Sequence, residues 1–238
     1  MSFLTAEWRK LAMANYVVDP DILKKYVPAK TELDLWNGNC YVSLVGFMFV
    51  NVRLKGLKIP FHTHFEEVNL RFYVKYKDGT EWKRGVVFVK EIVPKHAITF
   101  VANTLYKEHY ETMPTRHSWS EDSHSRSVEY QWRCKGQWQT FKVVADKEPI
   151  PIGEGSEAEF ITEHYWGYSH HSDKKTIEYE VTHPKWQQYV VKDFKIDADF
   201  GLIYGSDFAF LNDLRPKSVF LAEGSAITVE SKKEILVS

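Results

Sequence analysis

Cysteine is scarce in this chain of 238 residues. Cys40 and Cys134 stand alone, without the paired spacing of a zinc knuckle or the even-numbered framework of a small disulfide-bonded domain. Two such thiols fit a reducing compartment. The N-terminal residues have no basic region followed by an apolar core, and no stretch approaches about eighteen apolar residues. We therefore expect a cytoplasmic protein that does not span a membrane.

An excess of charge of either sign is lacking as well. Lys and Arg number 31 against 32 Asp and Glu, so the formal net charge is -1, and the chain contains no long basic run. Nucleic acids and anionic membrane surfaces attract proteins through clustered positive charge. Neither is expected as a partner here, whereas a small molecule is. The composition leaves the oligomeric state open.

Motifs for serine nucleophiles and phosphate binding are also missing. The chain has no G-x-S-x-G elbow, and neither Gly153–Ser156 nor Gly205-Ser206 is followed by the lysine of a phosphate loop. No cofactor is expected. A lysine nucleophile is harder to exclude. An amine reacts only when it is desolvated or beside another cation, and a sequence does not report desolvation. Lys90, Lys95 and Lys107 are the candidates, and the alternative for each is a solvated surface lysine.

Aromatic residues, in contrast, are plentiful at 15% of the chain, as is typical of strands and cavity walls. Turn signals at Asn37-Gly38, Asp78-Gly79 and Lys135-Gly136 predict three antiparallel hairpins. Their paired segments are 31–36 with 40–52, 65–76 with 81–92, and 128–133 with 137–145. Many antiparallel strands and few helices predict a mainly β fold, in one domain spanning residues 1–238. We expect a closed or nearly closed sheet, since closure removes exposed strand edges.

One long helix is predicted after Pro94, which suits a first helical turn. The helix is expected to continue to about Met113-Pro114. Its mainly apolar stripe at helical spacing consists of Ala97, Ile98, Val101, Ala102, Leu105 and His109.

The segment 65–74, F-E-E-V-N-L-R-F-Y-V, is the most informative for function. Successive side chains of a strand point to opposite faces. One face is therefore apolar, and the other carries Glu67, Asn69, Arg71 and Tyr73. Such a polar row is either a solvated sheet face or the lining of a pocket.

Glu91 is predicted on the strand that neighbours Glu67, because the turn at Asp78-Gly79 pairs the two segments. It is expected to share a face with Val87 and Val89. A second carboxylate near the first could raise the pKa of one of them, as acid–base chemistry requires. The alternative is a structural ion-pair network. The aromatic residues expected beside these charged groups are Tyr73, Tyr106 and Tyr110.

His62, His64 and Glu66 recur at every second position, so an extended backbone would place all three on one face. Two imidazoles and a carboxylate can hold a divalent metal. The stretch H-T-H-F-E-E is similar to the first metal motif of cupins, but the acidic residue follows at a different spacing and no second motif is present. The alternative is ordinary surface or loop histidines. Metal-dependent catalysis is kept as a rival hypothesis.

Several motifs together carry a resemblance that spans nearly the whole chain. They are F-E-E-V-N-L-R-F-Y-V, R-G-V-V-F-V-K-E, A-N-T-L-Y-K-E-H-Y, F-I-T-E-H-Y-W-G-Y, V-T-H-P-K-W and L-A-E-G-S-A-I-T-V, in that order. The chain resembles the YqjF-like family of uncharacterised bacterial proteins, whose fold is similar to that of acetoacetate decarboxylase. The resemblance implies an antiparallel cone-shaped barrel around a small-molecule cavity, which favours the pocket interpretation of the polar row.

The same resemblance also bears on chemistry. Glu67 stands where the decarboxylases have an active-site glutamate. Tyr110 and Glu111 occupy the positions of the Schiff-base lysine and its lysine neighbour, the cation that lowers the pKa of the reactive amine in acetoacetate decarboxylase. The resemblance therefore implies that imine-based decarboxylation has no nucleophile here. Lys107 lies three residues early and is not a straightforward substitute.

We therefore expect a protein that binds a small organic acid or carbonyl compound, with Arg71 pairing the anionic end through its guanidinium fork. Glu67 and Glu91 would orient the ligand, and Asn69, Tyr73 and Tyr106 would add contacts. The alternative is an enzyme that uses Glu67 as a general acid or base on an enolisable carbonyl substrate, with Tyr110 donating to the developing oxyanion.

Overall fold

Fourteen strands joined in one sheet dominate the computed structural model, which describes residues 2–237. The strands are β1 (Leu4–Val18), β2 (Thr31–Leu33), β3 (Cys40–Leu54), β4 (Phe65–Asp78), β5 (Glu81–Val93), β6 (Tyr110–Thr112), β7 (Thr115–Glu121), β8 (Ser125–Cys134), β9 (Gln137–Pro151), β10 (Trp166–Ser172), β11 (Lys175–Thr182), β12 (Gln187–Asp197), β13 (Ser218–Val229) and β14 (Lys233–Leu236). The helices are α1 (Pro20–Leu23), α2 (His96–Leu105), α3 (Glu157–Thr162) and α4 (Phe200–Tyr204), with 3-10 turns at Lys24–Tyr26 and Ser206–Asp213. The prediction of a mainly β fold is confirmed.

Seven of these strands form a ring. Hydrogen-bonded neighbours run in the order β11, β10, β5, β4, β3, β1 and β13, and β13 pairs again with β11 through Val181↔Val229. From β13 the sheet also continues through β12, β9, β8 and β7. Most pairs are antiparallel, whereas β10 and β6 each run parallel to β5. The ring encloses one face of β4, and the other face packs against elements outside the ring.

The two faces of β4 contribute to different cores. Val68, Leu70 and Phe72 pack in a cluster that includes Tyr130 of β8 and Phe200 of α4. Phe65 and Tyr73, on the opposite face, belong to a second cluster of buried aromatic and aliphatic residues. The predicted apolar row is therefore confirmed as a core face, and the polar row points toward the second cluster.

The hairpins 65–76 with 81–92 and 128–133 with 137–145 are confirmed as β4–β5 and β8–β9. The first predicted hairpin is wrong. β2 pairs with β4 through Leu33↔Val74, because both edges of β3 are already occupied by β1 and β4. Trp36 and Asn39 form only an isolated bridge around the predicted turn.

The predicted long helix is too long at its C-terminal end. α2 ends at Leu105, and Lys107 has a φ of 57°, which a continuing α-helix does not allow. Residues 110–112 then form β6 beside β5, so that Tyr110 lies on a strand opposite Glu91. In the part of the chain that the structure describes, no helix has the length and apolar character needed to cross a membrane.

Candidate ligand-binding cavity

A cavity of about 360 Å³ lies on the polar face of β4. Its walls are largely apolar, and α2 contributes Ala97, Ile98, Val101 and Ala102 from one side. The aromatic part of the lining consists of Phe3, Trp8, Phe47, Phe49, Phe65, Phe88, Tyr106, Tyr110, Trp166, Tyr179 and Trp186. A cavity of this size and composition suits a small ligand with an apolar body.

The polar row of β4 is buried rather than solvated. Glu67, Asn69 and Arg71 all line the cavity, and their exposed fractions are 2%, 1% and 8%. Tyr73 is buried in the same row but does not belong to the lining. Its hydroxyl lies 2.7 Å from Oγ of Ser43, which itself donates to Asn15 at 2.6 Å. Tyr73 therefore joins strands together, whereas the other three residues face the cavity.

Glu67 is held by two hydrogen-bond donors. Nδ2 of Asn69 lies 2.9 Å from Oε1 of Glu67, and the hydroxyl of Tyr110 lies 3.0 Å from Oε2. Burial raises the pKa of Glu67 to about 7, although both hydrogen bonds and the charge of Arg71 act to lower it. The carboxyl is thus held in place by two donors, while its burial opposes ionisation.

Glu91 reaches the cavity because β5 contains a β-bulge. The register with β4 shifts between Leu70↔Lys90 and Arg71↔Phe88, so Val89 is an extra residue. Glu91 consequently faces the cavity together with Phe88, and the prediction that it shares a face with Val87 is wrong, since Val87 packs in the opposite core.

The surroundings of Glu91 disfavour its ionised form. The side chain is 2% exposed, and within residues 2–237 its Oε2 atom has no hydrogen-bond partner. Burial raises the pKa of Glu91 well above its ordinary value, and the nearby carboxyls of Glu108 and Glu67 raise it further.

Glu108 is a third buried carboxyl that sequence reasoning missed. It follows α2 in the loop before β6, is 6% exposed and accepts a hydrogen bond from the Tyr179 hydroxyl at 2.7 Å. Burial and the neighbouring Glu67 raise the pKa of Glu108. Gly167 makes room for this pair, because a Cβ at that position would lie 2.1 Å from Cζ of Tyr179.

Arg71 has no carboxylate partner among the described residues, and its guanidinium donates to Sδ of Met13 at 3.9 Å. Within the same part of the chain its Nε atom has no hydrogen-bond partner, and the guanidinium lies 5.8 Å from the centre of the Tyr73 ring. The unused donors of such a guanidinium can pair with an anionic or acceptor group.

Most of the chain matches one known protein family. Residues 5–226 match the DUF2071 family, described as an uncharacterised conserved protein. The chain belongs to this family. It is 40% identical over 82 residues to the uncharacterised protein YqjF of Bacillus subtilis (strain 168), an alignment that spans 34% of this chain and 32% of that protein.

Solved structures show which fold the DUF2071 chain shares. An acetoacetate decarboxylase from Legionella pneumophila superposes with a TM-score of 0.66 at 11% identity, covering 98% of this chain and 86% of that one. An acetoacetate decarboxylase-like enzyme from Sphingomonas wittichii RW1 gives 0.66 at 11% identity, with 100% and 95% covered. The enduracididine biosynthesis enzyme MppR, complexed with a condensation product of pyruvate and imidazole 4-carboxaldehyde, gives 0.69 at 11% identity, with 99% and 90% covered. The predicted resemblance is confirmed.

The lysines of this DUF2071 protein lie away from the cavity. Among the residues described, no lysine belongs to the lining. Lys90 points to the other side of β5, where it donates to Glu111 at 2.6 Å and to the carbonyl of Ile203 at 2.5 Å. Tyr110 and Glu111 are the two positions that the family resemblance equates with the decarboxylase lysines. Tyr110 lines the cavity, whereas Glu111 is exposed and bound to Lys90.

A histidine–aspartate pair borders the same cavity and was also missed. Nε2 of His164 lies 3.0 Å from Oδ2 of Asp34, which also accepts from Nε of Arg84 at 2.6 Å. Burial lowers the pKa of His164 to about 4, against the opposing effect of Asp34. Asp34 therefore fixes the hydrogen of a neutral ring on Nε2. The tripeptide Glu163-His164-Tyr165, within one of the motifs that carry the family resemblance, was the available signal.

His62, His64 and Glu66 are not gathered into a ligand set. β4 begins at Phe65, so the two histidines precede the extended backbone that the hypothesis required. Their Nδ1 atoms bond to the Pro60 carbonyl at 2.8 Å and to Thr63 at 2.9 Å. Glu66 instead accepts from Thr115 and His117. Within residues 2–237 no group of three His, Cys, Asp or Glu side chains is placed to hold a metal ion.

Proposed function

We propose that this DUF2071 protein binds a small organic acid or carbonyl compound in its cavity, and that Arg71 pairs with the ligand's anionic group. On this proposal the seven-stranded ring acts as a barrel-like container in a single domain. The observation that carries the proposal is a cavity-lining guanidinium, 8% exposed, without a carboxylate partner among the described residues. The apolar walls would hold the body of the ligand.

Electrostatics supports this role for Arg71. Leaving a buried charge unpaired costs several kcal/mol, by order of magnitude. A ligand carboxylate would offset that cost with two parallel N–H···O bonds, a geometry that guanidinium groups favour. The protein thus keeps an unfavourable charge that becomes favourable on binding, which is the expected signature of a binding group rather than of a structural ion pair.

The test is isothermal titration of the protein with 3-phenylpropanoate and with its neutral amide. We expect the acid to bind and the amide to bind about tenfold more weakly or worse, since hydrogen bonds between charged groups contribute about 1.5–3 kcal/mol. Arg71→Met should abolish the preference for the acid. Arg133→Met, at an exposed arginine of β8, is the matched control and should retain it. Equal binding of the acid by wild type and Arg71→Met would refute the proposal.

A second candidate is acid–base catalysis by Glu67 on an enolisable carbonyl compound. Its support is the raised pKa of about 7 together with the two donors that fix the carboxyl. A general acid or base works best with a pKa near the operating pH. Tyr110 already donates to Glu67, so it would have to exchange this partner to stabilise an oxyanion.

Deuterium uptake from D₂O into 2-oxo-4-phenylbutanoate, measured above the uncatalysed rate, tests this candidate. Glu67→Gln should lower the rate on the order of a hundredfold or more. Glu66→Gln is a close control, because the neighbouring carboxyl points away from the cavity to Thr115 and His117. Unchanged exchange in Glu67→Gln would remove Glu67 from the reaction.

A further inference from the structure

Three carboxyls from separate segments converge on the cavity that also contains Arg71. Glu67 comes from β4, Glu91 from β5 and Glu108 from the loop after α2, and all three are lining residues that are at least nine-tenths buried. Their side-chain hydrogen bonds come from neutral groups, namely Asn69, Tyr110 and Tyr179.

Carboxyl groups outnumber arginine and lysine side chains in the lining of this cavity. Arg71 is the sole arginine or lysine of the described residues that belongs to the lining, against three carboxyls. A structural ion-pair network would place a cation next to each buried acid. Here the Oε2 atom of Glu91 has no partner among residues 2–237, and no arginine or lysine within that range forms a salt bridge with Glu67, Glu91 or Glu108. Within residues 2–237, the three carboxyls therefore lack a bonded cation that could also donate hydrogen bonds to them.

An ammonium group supplies both missing properties. It carries one positive charge and, when primary, three N–H donors that can be shared among neighbouring carboxyls. A carbonyl group supplies only acceptor atoms, so it can pair with Glu91 only while that carboxyl keeps its proton, whereas an ammonium group can donate to the ionised carboxyls. The aromatic lining, in addition, suits an aromatic or branched aliphatic body.

We propose that the ligand is a dipolar amino acid with an apolar side chain, whose carboxylate pairs with Arg71 and whose ammonium group is held by Glu91 and Glu108 beside Glu67. This proposal rests on the proposed function for the carboxylate end and extends it at the other end. Among the described residues, the titratable or charged groups that act on these three carboxyls are the carboxyls themselves, Tyr110 of β6, Tyr179 of β11 and Arg71 of β4. The same cavity is also lined by Tyr106, His62, His164 and His183.

Binding of such a ligand should change the number of protons that the protein holds. In the free protein the crowded carboxyls retain protons because burial and mutual repulsion disfavour their ionised forms. An ammonium group stabilises those ionised forms, so protons pass from the carboxyls to the buffer as the ligand binds. A ligand that binds to protonated carboxyls releases none.

The experiment is calorimetric titration at about pH 7 with L-phenylalanine, 3-phenylpropanoate and 2-phenylethylamine, in two buffers of different ionisation enthalpy. We expect L-phenylalanine to bind about tenfold or more tightly than 3-phenylpropanoate, with net proton release. Glu91→Gln and Glu108→Gln should each remove that preference and reduce the proton release. Glu66→Gln is the control and should behave as wild type.

The outcomes separate the two proposals. Binding of 3-phenylpropanoate that depends on Arg71, without a preference for L-phenylalanine or without proton release, overturns the ammonium site and leaves the carboxylate site standing. Binding of 2-phenylethylamine that depends on Glu91, without binding of 3-phenylpropanoate, overturns the carboxylate site and leaves the ammonium site standing. No binding of any of the three compounds overturns both. Proton release is measured on wild type, so this part of the test holds even if a glutamine variant does not fold.

Discussion

Tyr110 donates its hydroxyl hydrogen to Oε2 of Glu67 over 3.0 Å, although 43 positions separate the two residues in the chain. The contact exists because β6 pairs with β5 and places Tyr110 opposite Glu91, while β4 lies on the other side of β5. A phenol thus stands in the cavity at the position where the decarboxylase resemblance expects a reactive lysine.

Removing the charge of Arg71 is expected to stabilise the ligand-free protein. Arg71→Met replaces a buried guanidinium, which has no carboxylate partner among the described residues, by an apolar side chain of similar length. The free energy of unfolding should rise by about 1 kcal/mol or more. Urea denaturation at neutral pH measures it.

Arg84→Met is the matched comparison, because Arg84 is bound to the buried carboxylate of Asp34 at 2.6 Å. Its loss should lower the free energy of unfolding by about 1 kcal/mol or more, since Asp34 is left without its cation. If Arg71→Met is the more destabilising of the two, the guanidinium of Arg71 is structural.

Stability should fall as the pH rises through neutrality. Glu67 and Glu108 have pKa values raised from 4.5 to about 7 and about 8 by burial, and the pKa of Glu91 is raised as well. When the pKa of a carboxyl is higher in the folded than in the unfolded state, its contribution to stability is fully present below the unfolded-state pKa. That contribution is lost as the pH rises through the folded-state pKa. Denaturation at about pH 5 and about pH 9 should show this loss, and Glu91→Gln should reduce it.

The carboxyl of Glu66 should contribute the opposite pH dependence of stability, and Glu66→Gln removes that contribution. Burial acts to raise the pKa of Glu66, but hydrogen bonds from His117 and Thr115 outweigh it and hold the pKa below its ordinary value. Its stabilisation is present above the unfolded-state pKa and is lost as pH falls. The variant should therefore alter the acid side of the profile. A Glu91→Gln profile identical to wild type on the alkaline side would contradict the raised pKa.

Gly167→Ala should disturb the Tyr179–Glu108 hydrogen bond. An added Cβ would meet Cζ of Tyr179 at 2.1 Å, so the ring has to move. We expect a loss of about 1–3 kcal/mol of stability, as for other overpacked sites. Gly153→Ala is the control, since its nearest neighbour would be Cβ of Ser156 at 4.0 Å. Thermal melts of both variants give the comparison, and equal melting temperatures would show that the ring adapts freely.

Two histidines that line the cavity should carry their hydrogens on different nitrogens. Asp34 accepts from Nε2 of His164, whereas the Pro184 carbonyl accepts from Nδ1 of His183 at 3.0 Å. Burial lowers the pKa of both rings, so both are expected to be neutral at pH 7. ¹⁵N NMR distinguishes the two tautomers. The same tautomer in both rings would contradict the hydrogen-bond assignment.

The sequence predicted β4 and its two rows well, because period-two alternation over ten residues and an Asp-Gly turn are strong local signals. Glu67, Asn69 and Arg71 were accessible for this reason. Glu108 and His164 were missed, since each lies in a loop and its position depends on the packing of distant segments; for His164 the family motif around it was the one signal in the sequence. The apolar stripe after Pro94 likewise predicted a helix that includes His109. The positive φ at Lys107 and the pairing of β6 with β5 end the helix earlier.

The first hairpin failed for a different physical reason. A turn signal at Asn37-Gly38 reports that the chain reverses, but it contains no information on competition for strand edges. Both edges of β3 are paired, with β1 and with β4, which are far longer than β2, so β2 forms its hydrogen bonds with β4. Local patterns thus located most strands, whereas tertiary pairing decided their neighbours.

The extra residue in β5 decides whether this wall of the cavity is acidic or basic. Without the two-for-one pairing at Val89, strict alternation from Phe88 would turn Lys90 inward and Glu91 outward. An amine would then face the ligand in place of a carboxyl, with every amino acid of the chain unchanged. A comparison with relatives of this protein should therefore count the residues between the position of Phe88 and the next acidic residue. The presence of a lysine or a glutamate nearby does not by itself show which of them faces the cavity.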